Sequence, residues 1–84
     1  MQDRRAAPRH RVDESAVIAV DEHRSIACLV YDISASGVRL TMPDTSDVPE
    51  TFLLSSRHLA DARVCVAVWR TAEEIGAAFE RPAA

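Results

Sequence analysis

The chain has no lysine: its ten basic side chains are all arginines. In so alanine-rich a sequence, this reads as the codon bias of a GC-rich genome. A net charge of −3 excludes generic nucleic-acid binding through a basic surface. Aromatics make up only 5% of residues, and Trp69, Phe52 and Phe79 read as core. The stacking platform that binds single-stranded nucleic acid is therefore not expected. A disulfide between the two cysteines is open only if two strands place them opposite each other. Cys28 and Cys65 fall in apolar alternating stretches and are expected as buried, reduced thiols. No run approaches the ~18 apolar residues needed to cross a membrane. The N-terminus has no apolar signal region, so a cytoplasmic protein is expected. His10, His23 and His58 are dispersed over the arm and turns. They supply neither metal-ligand spacing nor a nucleophile's partner, and no enzyme is expected.

The 84 residues allow one small domain, near the lower end of what folds unaided. Charge is unevenly spread within it. Residues 1–12 hold four arginines against one acid, a net +3, whereas residues 13–84 hold six against twelve, a net −6. Such asymmetry points to a basic arm that meets an anion. Pro8 keeps the arm from becoming a helix. Residues 1–12 are read as a flexible N-terminal arm and 13–84 as the folded domain.

That domain reads as six short strands over 16–20, 25–31, 38–42, 51–56, 62–69 and 75–80. Val38, Leu40 and Met42 alternate with Arg39 and Thr41, and Val64, Val66 and Val68 share one face of the longest strand. Turns every ~8–12 residues and no amphipathic helix predict an all-β fold, a small six-stranded antiparallel barrel.

Two motifs carry chemistry. The cluster Arg4–Arg11 offers guanidiniums, whose planar forks match a phosphate or the O6/N7 edge of guanine. Arg5 and Arg9 sit ~12 Å apart along an extended backbone, so their side chains can converge on a ligand of nucleotide size. The second motif is Asp32-Ile33-Ser34-Ala35-Ser36-Gly37. Asp32 and Ser34 fall on the same side of a strand end, and a carboxylate there suits the N1–H and N2–H₂ donors of guanine. Gly37 permits a positive φ or close approach of a ligand to the backbone. The plainer account of this motif is a hairpin turn whose Asp and Ser cap their own backbone.

The two motifs, in this order at the head of a six-strand pattern, resemble the PilZ family of β-barrels. That family's signature is RxxxR on an N-terminal arm, followed by D/NxSxxG. Here these are Arg5-Ala6-Ala7-Pro8-Arg9 and Asp32 to Gly37, and the closing hairpin Val66–Arg70 with Ile75–Phe79 fits as well. The resemblance covers residues 4–80. It implies a receptor for the bacterial second messenger cyclic di-GMP, with no further cofactor. Arg5 and Arg9 would contact phosphates and guanine edges, and Asp32, Ser34 and Gly37 would receive a guanine. Arg4 would stack on a second ligand molecule or bridge to it, which favours an intercalated pair over a single one. An adaptor that no longer binds the nucleotide is the alternative. With no output module read in the chain, a downstream protein partner is expected, the chain itself being a monomer or homodimer.

Overall fold

The structure, a computed structural model, describes residues 10–57 and 59–80. Its six strands are β1 (His10–Ala19), β2 (Ser25–Ile33), β3 (Gly37–Thr41), β4 (Thr51–Ser56), β5 (Arg63–Arg70) and β6 (Glu74–Phe79). They close into an antiparallel barrel in the order β1-β2-β3-β6-β5-β4, with β4 returning to pair with β1. Closure removes the free sheet edge that would otherwise template aggregation.

The barrel is filled by alternate residues. Ile18, Val30, Val38, Leu40, Leu54, Cys65 and Ile75 are the most deeply buried, joined by Phe52 and Phe79. Both cysteines are buried and unbonded. One turn is closed by Asp21, whose carboxylate accepts the backbone N–H groups of His23 and Arg24 at 2.8 and 2.9 Å and is held below its ordinary pKa chiefly by the His23 N–H and the Arg24 guanidinium. At one mouth, the 43–49 segment folds across the opening. Val48 is buried there, and Thr45 Oγ1 donates to the Thr71 carbonyl at 2.6 Å.

Three departures from ideal strands decide which side chains face outward. β1 begins at His10, earlier than the apolar run 16–20 predicts, because its first half pairs with the far end of β2 through a bulge between Arg11 and Glu14. Asp13 sits in that bulge with φ 53°, which releases the local register. A second bulge lies between Val30 and Asp32, and a third between Ala67 and Trp69. A bulge puts two residues opposite one and reverses the in–out alternation beyond it.

The third bulge corrects the reading of Trp69 as core. Counted by twos from buried Cys65 and part-buried Ala67, Trp69 falls inside the barrel. With Val68 as the extra residue, it instead pairs with Gly76 on the outer surface and is 43% exposed. The same strand turns its valine face outward: Val64 and Val68 are exposed, and Cys65 and Ala67 are what it gives the core.

Candidate functional site

The bulge at Tyr31 brings Asp32 to the outer side of the barrel. Val30 pairs with Leu40, both inside, and the next aligned pair is Asp32 with Arg39. Arg39 in turn pairs with Gly76, and Gly76 with Trp69. Arg11 on β1 stands opposite Asp32 from the other side. One row therefore crosses five strands: Arg11, Asp32, Arg39, Gly76, Trp69. In chemical order these are a cation, a carboxylate, a cation, a gap and an indole.

The row is tightly organised. Arg39 Nη2 donates to Asp32 Oδ2 at 2.8 Å, and that bond raises the pKa of Arg39. The Asp32 side chain is only 9% exposed beneath it. The guanidiniums of Arg11 and Arg39 both lie on the Tyr31 ring, 4.4 and 4.5 Å from its centroid, so the bulged tyrosine spaces and orients two arginines.

Beside the row is the turn that links β2 to β3. Ser34 Oγ accepts the backbone N–H groups of Ser36 and Gly37, each at 3.2 Å, while the Ser34 N–H donates to the Gly37 carbonyl at 2.9 Å. The turn is pinned to β6 by the Phe79 N–H, which donates to the Ser36 carbonyl at 2.9 Å. Ser34 thus shapes the loop with its own hydroxyl, as in the plainer account of the motif. Gly37 does not use a positive φ. It is required for a different reason: a Cβ there would run into the Ala77 carbonyl oxygen and lie 3.4 Å from the Ala78 Cα, all main chain of the paired strand. Gly76 is bare for the indole, since a Cβ there would overlap Trp69 Nε1 and Cε2.

Trp69 and Gly76, with Ser36, Gly37 and Ala78, line an open pocket of about 180 Å³ at the end of the row. A larger groove of about 660 Å³ lies along the barrel, floored by Ala27 and Leu29 and walled by Pro43, Glu73 and Glu74. It contains none of the motif residues.

The structure therefore gathers Asp32, Ser34 and Gly37 at one end of the barrel. Arg4, Arg5 and Arg9 lie outside the described residues. Sequence reasoning missed Arg39, Tyr31 and Trp69. Arg39 was findable: a hairpin closing on Ser34–Gly37 pairs Ile33 with Val38 and hence Asp32 with Arg39. A glycine inside a strand, as at Gly76, also signals that something approaches closely. Among the described residues, no cluster of His, Cys, Asp and Glu could hold a metal ion, and no helix is long and apolar enough to cross a membrane.

No curated protein matches the chain. A family model, described as PilZ domain, matches residues 3–84. With the closed six-stranded barrel and the motif turn at its rim, that match covers the arm as well as every strand, and the chain belongs to the PilZ domain family.

Proposed function

We propose that this PilZ domain is a receptor for cyclic di-GMP. The observation that carries the reading is the row from Asp32 through Arg39 and Gly76 to Trp69, beside the Ser34–Gly37 turn. Cyclic di-GMP is a dianion with two flat purines. It needs cations for its phosphates, an acceptor for the guanine N1–H and N2–H₂ edge, and a planar surface for a ring. Asp32 is the acceptor once Arg39, which covers it, swings toward a phosphate; Arg39 and Arg11 are the cations within the row, and the half-exposed indole of Trp69 offers the plane. Arg5 and Arg9 of the arm bring the remaining positive charge to the phosphates, and Arg4 holds a second nucleotide. Ser34 and Gly37 keep the turn low enough for a base to approach. Binding holds the arm against the barrel, and the rearranged surface is what a partner protein reads.

The test is calorimetric titration of cyclic di-GMP into the whole chain, with Arg5→Ala/Arg9→Ala and Trp69→Ala as variants. Saturable binding is expected at ~0.1–10 μM. The double arginine variant should lose it. Either arginine alone should cost about 1.5–3 kcal/mol, the range for charge-assisted hydrogen bonds. Absence of binding up to ~100 μM would overturn the receptor reading and leave a nucleotide-independent adaptor.

A further inference from the structure

Closing the barrel leaves strand ends that outrun a neighbour, and the first half of β2 is one of them. β2 pairs with β1 from Ser25 to Ile33, but β3 meets only residues 29–33. Continuing the register of Leu29 with Thr41 sets Ala27 against Pro43, which has no N–H to give. The chain turns off at that point, and the Met42 N–H donates to the Glu73 carbonyl at 2.9 Å. Which main-chain groups are left over follows from one bond. The Val20 N–H donates to the Arg24 carbonyl at 3.0 Å, so Arg24, and by alternation Ile26 and Cys28, spend their main-chain groups on β1. Ser25, Ala27 and Leu29 turn theirs to the other side. Leu29 meets Thr41 there, whereas Ser25 and Ala27 have no main-chain partner on that side among the described residues. β1 outruns β4 in the same way at residues 10–15, but a bulge, the φ of 53° at Asp13 and the charges of Arg11, Asp13 and Glu14 blunt that edge. Residues 25–28, Ser-Ile-Ala-Cys, carry no charge, bulge or proline.

This bare stretch borders the groove of about 660 Å³. Ala27 and Cys28 line the groove from β2, Met42 and Pro43 line it from the diverging chain, and Glu73 and Glu74 form its wall. Neither glutamate has an ion pair among the described residues, and the arginines next along β2 and β3 are engaged, Arg24 by Asp21 at 3.2 Å and Arg39 by Asp32 at 2.8 Å. We propose that the groove takes an extended segment of a partner protein, added antiparallel to β2 at Ser25 and Ala27. Main-chain bonds to those two residues hold it, and the pleat sets its side chains. Inward ones meet the buried Cys28 and Met42 and are aliphatic. Outward ones lie beside Ala27, on the side of the acidic wall, and are arginine or lysine. The open stretch takes about four residues at ~3.4 Å each, so the contact is weak and transient by itself. It forms with or without the nucleotide.

Fluorescence anisotropy of a labelled Arg-Val-Arg-Val-Arg peptide, titrated with the whole chain in the absence of nucleotide, tests it. Saturable binding is expected at ~50–500 μM. The arginine N–H groups face β2 in this pairing, so methylating them should abolish binding, and methylating the valine N–H groups should not. Glu-Val-Glu-Val-Glu should not bind. Glu73→Arg, on the exposed β5–β6 turn, should weaken the arginine peptide about 3–5-fold. Ala27→Pro should abolish binding; the β1 ladder uses Ile26 and Cys28, so the circular-dichroism spectrum should be unchanged. Amide exchange followed by NMR reads the unmodified chain. Ser25 and Ala27 should exchange faster than Ile26 and Cys28, and ~2 mM peptide should slow both about 5–40-fold. No binding up to ~2 mM, equal binding of the arginine-methylated peptide, or unchanged exchange at Ser25 and Ala27 overturns the proposal. Protection of both amides before peptide is added, lost on deleting residues 1–9, overturns it too and gives the groove to the chain's own arm.

Discussion

Replacing Gly37 with alanine tests how the motif turn is held against the barrel. The new methyl would overlap the Ala77 carbonyl oxygen and lie 3.4 Å from both the Ala77 carbonyl carbon and the Ala78 Cα. These atoms are main chain of β6, which pairs Gly37 with Ala78, so no side chain can rotate out of the way. The two strands have to part by roughly an ångström to restore van der Waals contact. Overpacking of this kind costs about 1–3 kcal/mol. Parting the strands also stretches the Phe79 N–H to Ser36 carbonyl bond of 2.9 Å, which adds about 1 kcal/mol. The expected loss is therefore about 2–4 kcal/mol, against the ~4–13 kcal/mol that a domain of this size has in total. Gly76→Ala is the control. There the nearest atoms to the methyl all belong to the Trp69 indole, whose Cζ2 would be 2.7 Å away, and a half-exposed indole can swing into solvent. It should cost within ~1 kcal/mol and shift the emission of the single tryptophan to the red. Urea denaturation followed by circular dichroism, with fluorescence alongside, measures both. A Gly37→Ala loss below ~0.5 kcal/mol would refute the steric argument, and so would an equal loss for the two variants.

The remaining predictions follow from single groups. Ser34→Ala removes the acceptor for two backbone N–H groups, so it should lower stability by about 0.5–1.5 kcal/mol in urea denaturation without any ligand present. In a double-mutant cycle of Asp32→Asn and Arg39→Gln, the coupling energy should be about 1–2 kcal/mol; Arg39 is over a third exposed, which keeps it below the value for a fully buried pair. Burial pushes the Cys28 and Cys65 thiols from their ordinary 9.0 up to about 11, so in the folded chain at pH 8 Ellman's reagent should label them only at the rate of unfolding. Because the folded pKa is the higher one, the unfolded chain loses its thiol protons first. The associated stability is whole below pH 9 and drains away between pH 9 and 11, by at most about 2–3 kcal/mol per thiol, and Cys28→Ala should flatten that slope in alkaline denaturation curves.

Strand existence was legible because it depends on local alternation. Val38, Leu40 and Met42 announce their face, and the structure buries all three. Facing beyond a bulge was not legible, because a bulge is a property of two strands. Tyr31 and Val68 are good β-formers, and nothing local marks either as the extra residue of its pair. Yet these two residues decide the chemistry. Without the bulge at Tyr31, Asp32 would continue inward from Val30 and put a carboxylate among aliphatic side chains. Without the one at Val68, Trp69 would enter a core already filled by Phe52 and Phe79, and Gly76 would have no indole to clear. Both irregularities act at the same end of the barrel, and their joint effect is to align Asp32, Arg39, Gly76 and Trp69 in one row. The polar and aromatic side chains that alternation alone assigns to the interior thus come to lie in a row on the outer side of the barrel. In a barrel this small, with no room inside for a buried charge, a register shift is the cheapest way to give a strand both an apolar core face and a polar site on the same run of residues.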